Sequence, residues 1–286
     1  MHDVFYFTDI HGQYYLYDAI INDCFALDPE CTVVFGGDAC DRGGDGYKIM
    51  CELLENPQVI YLKGNHEAMF VLAARELLKN KDQFTTDEAS IQAFLLQTID
   101  KYFPAIQLHI LNDGARTLID WVTHGMDEEF VNAIDNLPLT FSYENIDFCH
   151  AGSIYNDFKV VADAEHKNGF IWQKDKDAML WDRKNLALGW ATDRICVFGH
   201  TPTILLPTGI YGRDQSALHA HPCAWQDKMG ATEKRGGWKI DMDTGAIWSN
   251  RAYVLNCSTM EVVGYEDCRD TEGNSVIKII DQYKII

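Results

Sequence analysis

Five short clusters in the chain combine carboxylates, imidazoles and glycines: Asp9-Ile10-His11-Gly12, Gly37-Asp38-Ala39-Cys40-Asp41-Arg42-Gly43, Gly64-Asn65-His66-Glu67, His150-Ala151-Gly152 and Gly199-His200-Thr201-Pro202. Carboxylate and imidazole donors without a thiolate set suit Mn²⁺, Fe or Zn²⁺ rather than a structural cysteine-bound zinc. Glycines beside such donors let the backbone approach an ion or a phosphate closely. A lone Asp-x-His is more often ordinary polarity than a ligand pair. Five such clusters, each at the end of an expected strand, point to one shared centre.

The elements that must position them are readable from hydrophobic pattern. Val4-Phe5-Tyr6-Phe7 reads as a buried strand, and a helix runs from about Tyr14 to Phe25 with Leu16, Ile20 and Cys24 on one face. Thr32 to Phe35 is a second strand ending at Gly36-Gly37, followed by a helix carrying Ile49, Met50, Leu53 and Leu54 that stops before Pro57. Val59 to Leu62 is a third strand. This alternation predicts βαβ units of an α/β fold, in which ligands sit at the carboxyl ends of strands. From about Glu67 to Asn136 helix formers dominate, predicting several helices without catalytic residues. Beyond Pro138 short strands return at Ile146–Cys149, Ile195–Phe198, Ala252–Asn256, Glu261–Tyr265 and Val276–Ile280, and a second, largely antiparallel sheet is expected there. With no repeat or Pro/Ser-rich linker, residues 1–286 read as one domain with a helical insertion at about 67–137.

Composition narrows the function classes. The 286 residues hold 24 Lys+Arg against 43 Asp+Glu, a formal net charge of −19. Such acidity argues against a surface that coats nucleic acid or docks on an anionic membrane. An anionic substrate would therefore need bound cations to draw it in. The nine cysteines are an odd count without a C-x-x-C pair, which reads as reduced thiols of a cytoplasmic protein. The start Met1-His2-Asp3 leaves no room for a signal-peptide pattern, and the longest strictly apolar run, Ala68 to Ala74, falls well short of the roughly 20 residues that span a bilayer.

Taken as a set, the five clusters resemble the motifs G-D-x-H-G, G-D-x-x-D-R-G, G-N-H-E, H-A-G and G-H-T of the phosphoprotein phosphatase branch of the calcineurin-like metallophosphoesterases. The resemblance extends from about residue 4 to residue 248, with Thr8 where the family usually has Gly. Asp243-Thr244-Gly245-Ala246 and Asn112-Asp113-Gly114 look like the bacterial and bacteriophage enzymes, of which lambda phosphatase is a member, and the eukaryotic S-A-P-N-Y signature is absent. The resemblance implies a two-sheet β-sandwich core flanked by helices and a centre of two divalent ions, with Mn²⁺ favoured and Fe or Zn²⁺ as alternatives. Asp9 and His11 would hold the first ion, Asp38 would bridge, and Asn65, His150 and His200 would hold the second. Two ions about 3.5–4 Å apart can activate water and clamp the oxygens of an in-line displacement. His66 would protonate the leaving oxygen, with Asp41 on its other ring nitrogen, and Arg42, Arg183 and Asn65 would hold the substrate phosphate.

Around this set, Glu67 is expected to orient neighbours or cap the following helix, and Asp243 to support a ligand histidine. Asp241 reads as strand polarity, His124 as structural, Cys40 as a small packed side chain, and His219 and His221 as a solvated loop rather than a metal grip. The implied reaction is hydrolysis of a phosphomonoester. Diadenosine tetraphosphate hydrolases share the centre but typically lack the acid matching Asp41 and carry Asp at the position of Glu67, so phosphoserine and phosphothreonine, with phosphotyrosine in addition, are the expected substrates. A nucleotide phosphoesterase is the alternative, and a non-catalytic phosphate-binding module a second one. The stretch from about 205 to 237, which mixes aromatic and basic residues, is expected to border the site as a substrate-selecting loop.

Overall fold

The computed structural model describes residues 2–152, 176–183, 194–205, 221–228 and 235–286. The strands are β1 (Val4–Phe7), β2 (Thr32–Phe35), β3 (Val59–Tyr61), β4 (Thr140–Tyr143), β5 (Ile146–Cys149), β6 (Ile195–Phe198), β7 (Cys223–Lys228), β8 (Arg235–Asp241), β9 (Arg251–Asn256), β10 (Glu261–Arg269) and β11 (Ser275–Lys284). The α-helices are α1 (Tyr14–Leu27), α2 (Gly46–Glu55), α3 (Asn65–Lys79), α4 (Glu88–Gln97), α5 (Pro104–Leu111), α6 (Ala115–Thr123), α7 (Glu128–Asp135), α8 (Lys176–Trp181) and α9 (Ala246–Ser249).

The first sheet has strand order β11-β10-β9-β1-β2-β3, and the second β4-β5-β6-β8-β7. Alternation along β1 explains how they layer, because successive side chains leave a strand on opposite faces. Phe5 and Phe7 enter the core shared with the helices, together with Val33 and Phe35 of β2 and Leu16 and Ile20 of α1. Val4 and Tyr6 enter a second core between the sheets, against Ile146, Phe148, Ile195, Val197 and Ile240. Near-continuous apolar strands are thus buried on both faces, as parallel β-strands with crossover helices require. The α/β character and the two-sheet core agree with the sequence reading.

The second sheet differs from expectation. It is mixed: β5–β6 and β6–β8 pair parallel, while only β4–β5 and β7–β8 pair antiparallel. The C-terminal strands β9, β10 and β11 belong instead to the first sheet, where β9 pairs antiparallel with β1. The cause lies in their faces. Tyr253 and Leu255 of β9 enter the inter-sheet core while Ala252 and Val254 cover the helical core, so β9 extends the first sheet beside β1. The stretch read as a loop from 205 to 237 contributes β7 and the start of β8; its residues 206–220 and 229–234 lie outside the described residues.

In the interval 67–137, α3 through α7 form the expected helical insertion, with Phe70, Trp121 and Phe130 meeting edge to face at its centre. All nine cysteines are free, and seven are buried. Among the described residues no helix is long and apolar enough to cross a membrane.

Candidate metal centre and its catalytic neighbours

The clusters after β1, β2, β3, β5 and β6 converge at the carboxyl ends of those strands. Tight turns bring them there. Asp9, His11, Asp38, Asp41, Arg42 and His200 all have positive φ, between 45° and 70°. Such backbone is uncommon for residues with a side chain and concentrates at functional sites. The first turn reaches the second through two glycines: a Cβ on Gly12 would sit 2.7 Å from the Gly43 carbonyl carbon, and Gly12 itself has φ +69°. Cross-loop backbone bonds, His11 N–H to the Asp38 carbonyl and Gly12 N–H to the Ala39 carbonyl, lock them together.

Two groups of side chains in the centre could hold an ion. One is His11, Asp38 and His66; the other is Asp38, His150 and His200, so the Asp38 carboxylate is common to both. His11 Nδ1 faces the Cys40 carbonyl at 2.9 Å, leaving Nε2 turned inward. His150 is oriented the same way by the Gly36 carbonyl at 2.9 Å, with Nε2 3.4 Å from Asp38. Carbonyls placed behind ligand imidazoles in this way select the tautomer that offers its lone pair. The Asn65 amide oxygen lies 2.9 Å from both His150 Nε2 and His200 Nδ1. Asp9 is buried beside them, accepting the Thr8 hydroxyl at 2.6 Å and the His200 N–H at 3.1 Å.

Of the expected ligands, His11, Asp38, His150 and His200 fall in these groups and Asn65 and Asp9 adjoin them through hydrogen bonds, while His66, expected beside the ions, stands with His11 and Asp38 in the place expected for Asp9.

Charge in the centre is unbalanced in a manner that divalent cations would relieve. Burial, then repulsion from Asp243 and Asp38, raises the Asp9 carboxyl well above its ordinary range. Burial also carries Asp243 up to about 7, with Asp38 adding to it. Asp38 goes the other way: burial alone would raise it, but His150 and His66 more than compensate. Burial disfavours charge on His150, yet Asp38 and then Asp9 and Glu67 take it up to about 10. Burial holds His11 and His200 down to about 3, His150 contributing at His200. The Asn65 oxygen can only accept, so both rings must turn an N–H toward it, and His150 then donates from both nitrogens. A cation among Asn65, His150 and His200 would satisfy all three as neutral ligands, and the donor set fits a divalent ion.

Beside this centre, His66 Nδ1 lies 2.7 Å from Asp41 Oδ2, and both side chains are buried. Asp38 and the bond to Asp41 raise the His66 pKa against the opposing effect of burial. Arg42 bridges inward, with Nη1 2.7 Å from His11 Nε2 and Nη2 3.0 Å from His66 Nε2. Its guanidinium also lies 5.5 Å from the ring of exposed Trp248. Arg183 is exposed just beyond α8, near enough for its charge to lower His200.

The Glu67 carboxylate accepts the N–H groups of Asp38, Ala39 and Gly64 and the Tyr61 hydroxyl, as an orienting role requires. Asp243 is buried near Asp9 and accepts the Gly245 N–H. Asp241, read as strand polarity, is fully buried and accepts the Asp243 N–H. His124 lies on the surface against the Asp120 carbonyl, and Cys40 is packed and its thiol pushed up by burial. His221 bonds the Tyr253 hydroxyl, whereas His219 lies outside the described residues. Sequence reasoning missed Thr117, whose hydroxyl donates to Asp41 Oδ1 at 2.8 Å, and fully buried His109, 3.3 Å from the same oxygen. Ile106 one turn earlier is equally buried, so a histidine on the apolar face of α5 was the available signal.

Residues 3–225 match the calcineurin-like phosphoesterase family, and the chain belongs to it. Its members are metallophosphoesterases that use divalent metals. No curated protein gives a significant sequence match. Among solved structures, the chain resembles the cold-active protein-tyrosine phosphatase of a psychrophilic Shewanella species, at 14% identity and TM-score 0.47, covering 97% of this chain and 80% of that one. A provisionally assigned diadenosine tetraphosphatase matches at 13% identity and TM-score 0.43, covering 97% and 93%. A Saccharomyces cerevisiae protein serine/threonine phosphatase similar to human phosphatase PP5 matches at 13% and TM-score 0.42, covering 98% and 80%. At such values a shared substrate does not follow.

Proposed function

We propose that the protein is a phosphomonoesterase of the bacterial and bacteriophage branch of its family, acting on phosphoserine and phosphothreonine and, in addition, phosphotyrosine. The observation that carries this reading is the buried His66–Asp41 pair, 2.7 Å apart, with the other ring nitrogen of His66 3.0 Å from Arg42 Nη2 beside the ion-binding groups. When bound by Asp9, His11, Asp38, Asn65, His150 and His200, two divalent ions, Mn²⁺ by preference, supply Lewis acidity and water activation. The chain's own residues do the rest. Arg42 presents a planar fork that matches two phosphate oxygens, and its contacts with His11 and His66 pass to the substrate as phosphate enters. Arg183 approaches from the exposed side, and the Asn65 side-chain amide adds a donor. Once Arg42 has turned to the phosphate, His66, its ring held by Asp41 and its pKa raised, takes a proton on Nε2 and gives it to the departing oxygen, which a serine or threonine leaving group needs.

The substrate reading rests on the acid Asp41 and on Glu67, both present in the phosphoprotein form. The test is an activity panel with Mn²⁺ over phosphoserine, phosphothreonine and phosphotyrosine peptides, diadenosine tetraphosphate and cyclic nucleotides. Phosphopeptides are expected to lead. Cleavage of diadenosine tetraphosphate orders of magnitude faster would overturn the substrate class, and no turnover of any ester would leave a binding module. Alanine substitutions in the 205–237 stretch should alter peptide preference more than turnover of para-nitrophenyl phosphate.

A further inference from the structure

We propose that His109, on α5 of the helical insertion, is a positioning residue for the proton donor: its Nε2, 3.3 Å from Asp41 Oδ1, carries the ring proton toward that oxygen and, with Thr117, fixes the carboxylate whose other oxygen holds His66. This rests on the reading of His66 as proton donor and goes beyond it, since it gives part of the insertion a role in the reaction.

Asp41 is gripped from two sides. On the catalytic side, Oδ2 meets His66 Nδ1 at 2.7 Å. On the insertion side, Oδ1 accepts the Thr117 hydroxyl at 2.8 Å and lies 3.3 Å from His109 Nε2, while the Thr117 oxygen also accepts the Asp41 N–H at 3.2 Å. His109 is fully buried and, among the described residues, neither of its ring nitrogens has another hydrogen-bond partner; the Asp41 carboxylate, 3.3 Å away, is the polar group within reach of its Nε2. The ring is held in place. A Cβ at Gly114 would lie 2.4 Å from its Cδ2 and Nε2, and Phe70 meets it edge-on with centroids 6.1 Å apart. The turn that carries Gly114 also reaches the active loop directly, where the Asp113 carbonyl accepts the Arg42 N–H at 3.1 Å.

One stretch, His109 to Thr117, therefore supports Asp41 and Arg42 together. Burial lowers the His109 pKa, which keeps the ring neutral beside Asp41. A neutral donor orients the carboxylate and leaves its charge for His66, which a cation at the same place would draw away.

Two measurements test this. In the wild type, ¹⁵N shifts of the histidine rings, with the His109 signal assigned by its loss in His109→Gln, should show His109 neutral and protonated on Nε2. Kinetically, His109→Leu removes the donor at similar volume, and with Mn²⁺ it should lower kcat roughly tenfold or more on a phosphoserine peptide but about twofold or less on para-nitrophenyl phosphate, whose leaving group needs little protonation. KM and bound-metal stoichiometry should be unchanged, and His109→Gln, which keeps an N–H, should recover most of the loss. Thr117→Val provides the same comparison if His109→Leu does not fold. A His109 ring without a proton on Nε2, or equal losses on the two esters, overturns the inference alone. A wild type that turns over neither ester overturns the underlying reading and this inference with it.

Discussion

Glu67 holds the loops after β2 and β3 in register with one carboxylate, accepting three backbone N–H groups and the Tyr61 hydroxyl while fully buried. Glu67→Gln would turn an amide N–H toward donors, and an unsatisfied buried polar group costs about 1–3 kcal/mol. Denaturant unfolding should show that loss, and titration should show Mn²⁺ affinity falling roughly 10- to 100-fold, as for other groups that orient ligands. His66 predicts a different signature. His66→Asn should lower kcat on phosphoserine peptide by about 10²–10⁴, the usual scale of general acid catalysis, with metal content near that of the wild type by elemental analysis. Strong loss of metal in this variant would instead make His66 a ligand, as its place in the group with His11 and Asp38 allows.

At the scale of elements, the site depends on loops forced into contact. Gly12→Ala would add a methyl 2.7 Å from the Gly43 carbonyl carbon at φ +69°, where side chains are strained. Strain of this kind costs about 1–3 kcal/mol. A fall in Tm of roughly 2–4 °C per kcal/mol is expected, with Mn²⁺-dependent activity lost by more than the stability change explains. Just before the Gly64-Asn65 cluster, the segment after β3 and the helical insertion are tied by Lys63, whose ammonium donates to the Asp135 carbonyl and, at 3.0 Å, to its carboxylate, which Arg75 meets at 2.7 Å. Burial alone would raise the Asp135 pKa, but Lys63 and Arg75 hold it below the ordinary value. Its folded-state pKa is thus lower than its unfolded one, so the tie contributes fully above about 3.9 and is lost as pH falls through the folded value. Asp135→Asn should therefore lower stability at pH 7 and narrow its gap from the wild type toward pH 3, measured by urea unfolding at both.

For the whole molecule, the ions and the fold should stabilise each other. Asp9, Asp38, Glu67 and Asp243 are buried in one centre, which also gathers polar groups from both sheets. Ligands that bind only the folded state stabilise it by about 2.7 kcal/mol at a hundredfold excess over Kd. Chelator should accordingly lower Tm, and added Mn²⁺ should restore it with a concentration dependence that reports the affinity, in calorimetry without substrate. The net charge of −19 acquires a sense here, since two divalent ions would bring it to about −15 and place positive charge where phosphate must arrive.

The order of the five clusters, the strands β1, β2, β3, β5 and β6 and the helix-rich insertion were legible from the chain, because side-chain pattern and ligand types are local properties. The placement of β9 beside β1, the mixed second sheet and the sharing of Asp38 between two groups were not, since pairing partners are chosen by faces that meet only after folding. His109 marks the same boundary. Its position on the buried face of a helix was local information, but its contact with Asp41, 68 residues earlier in the chain, exists only because α5 packs against α3 and beneath the loop after β2.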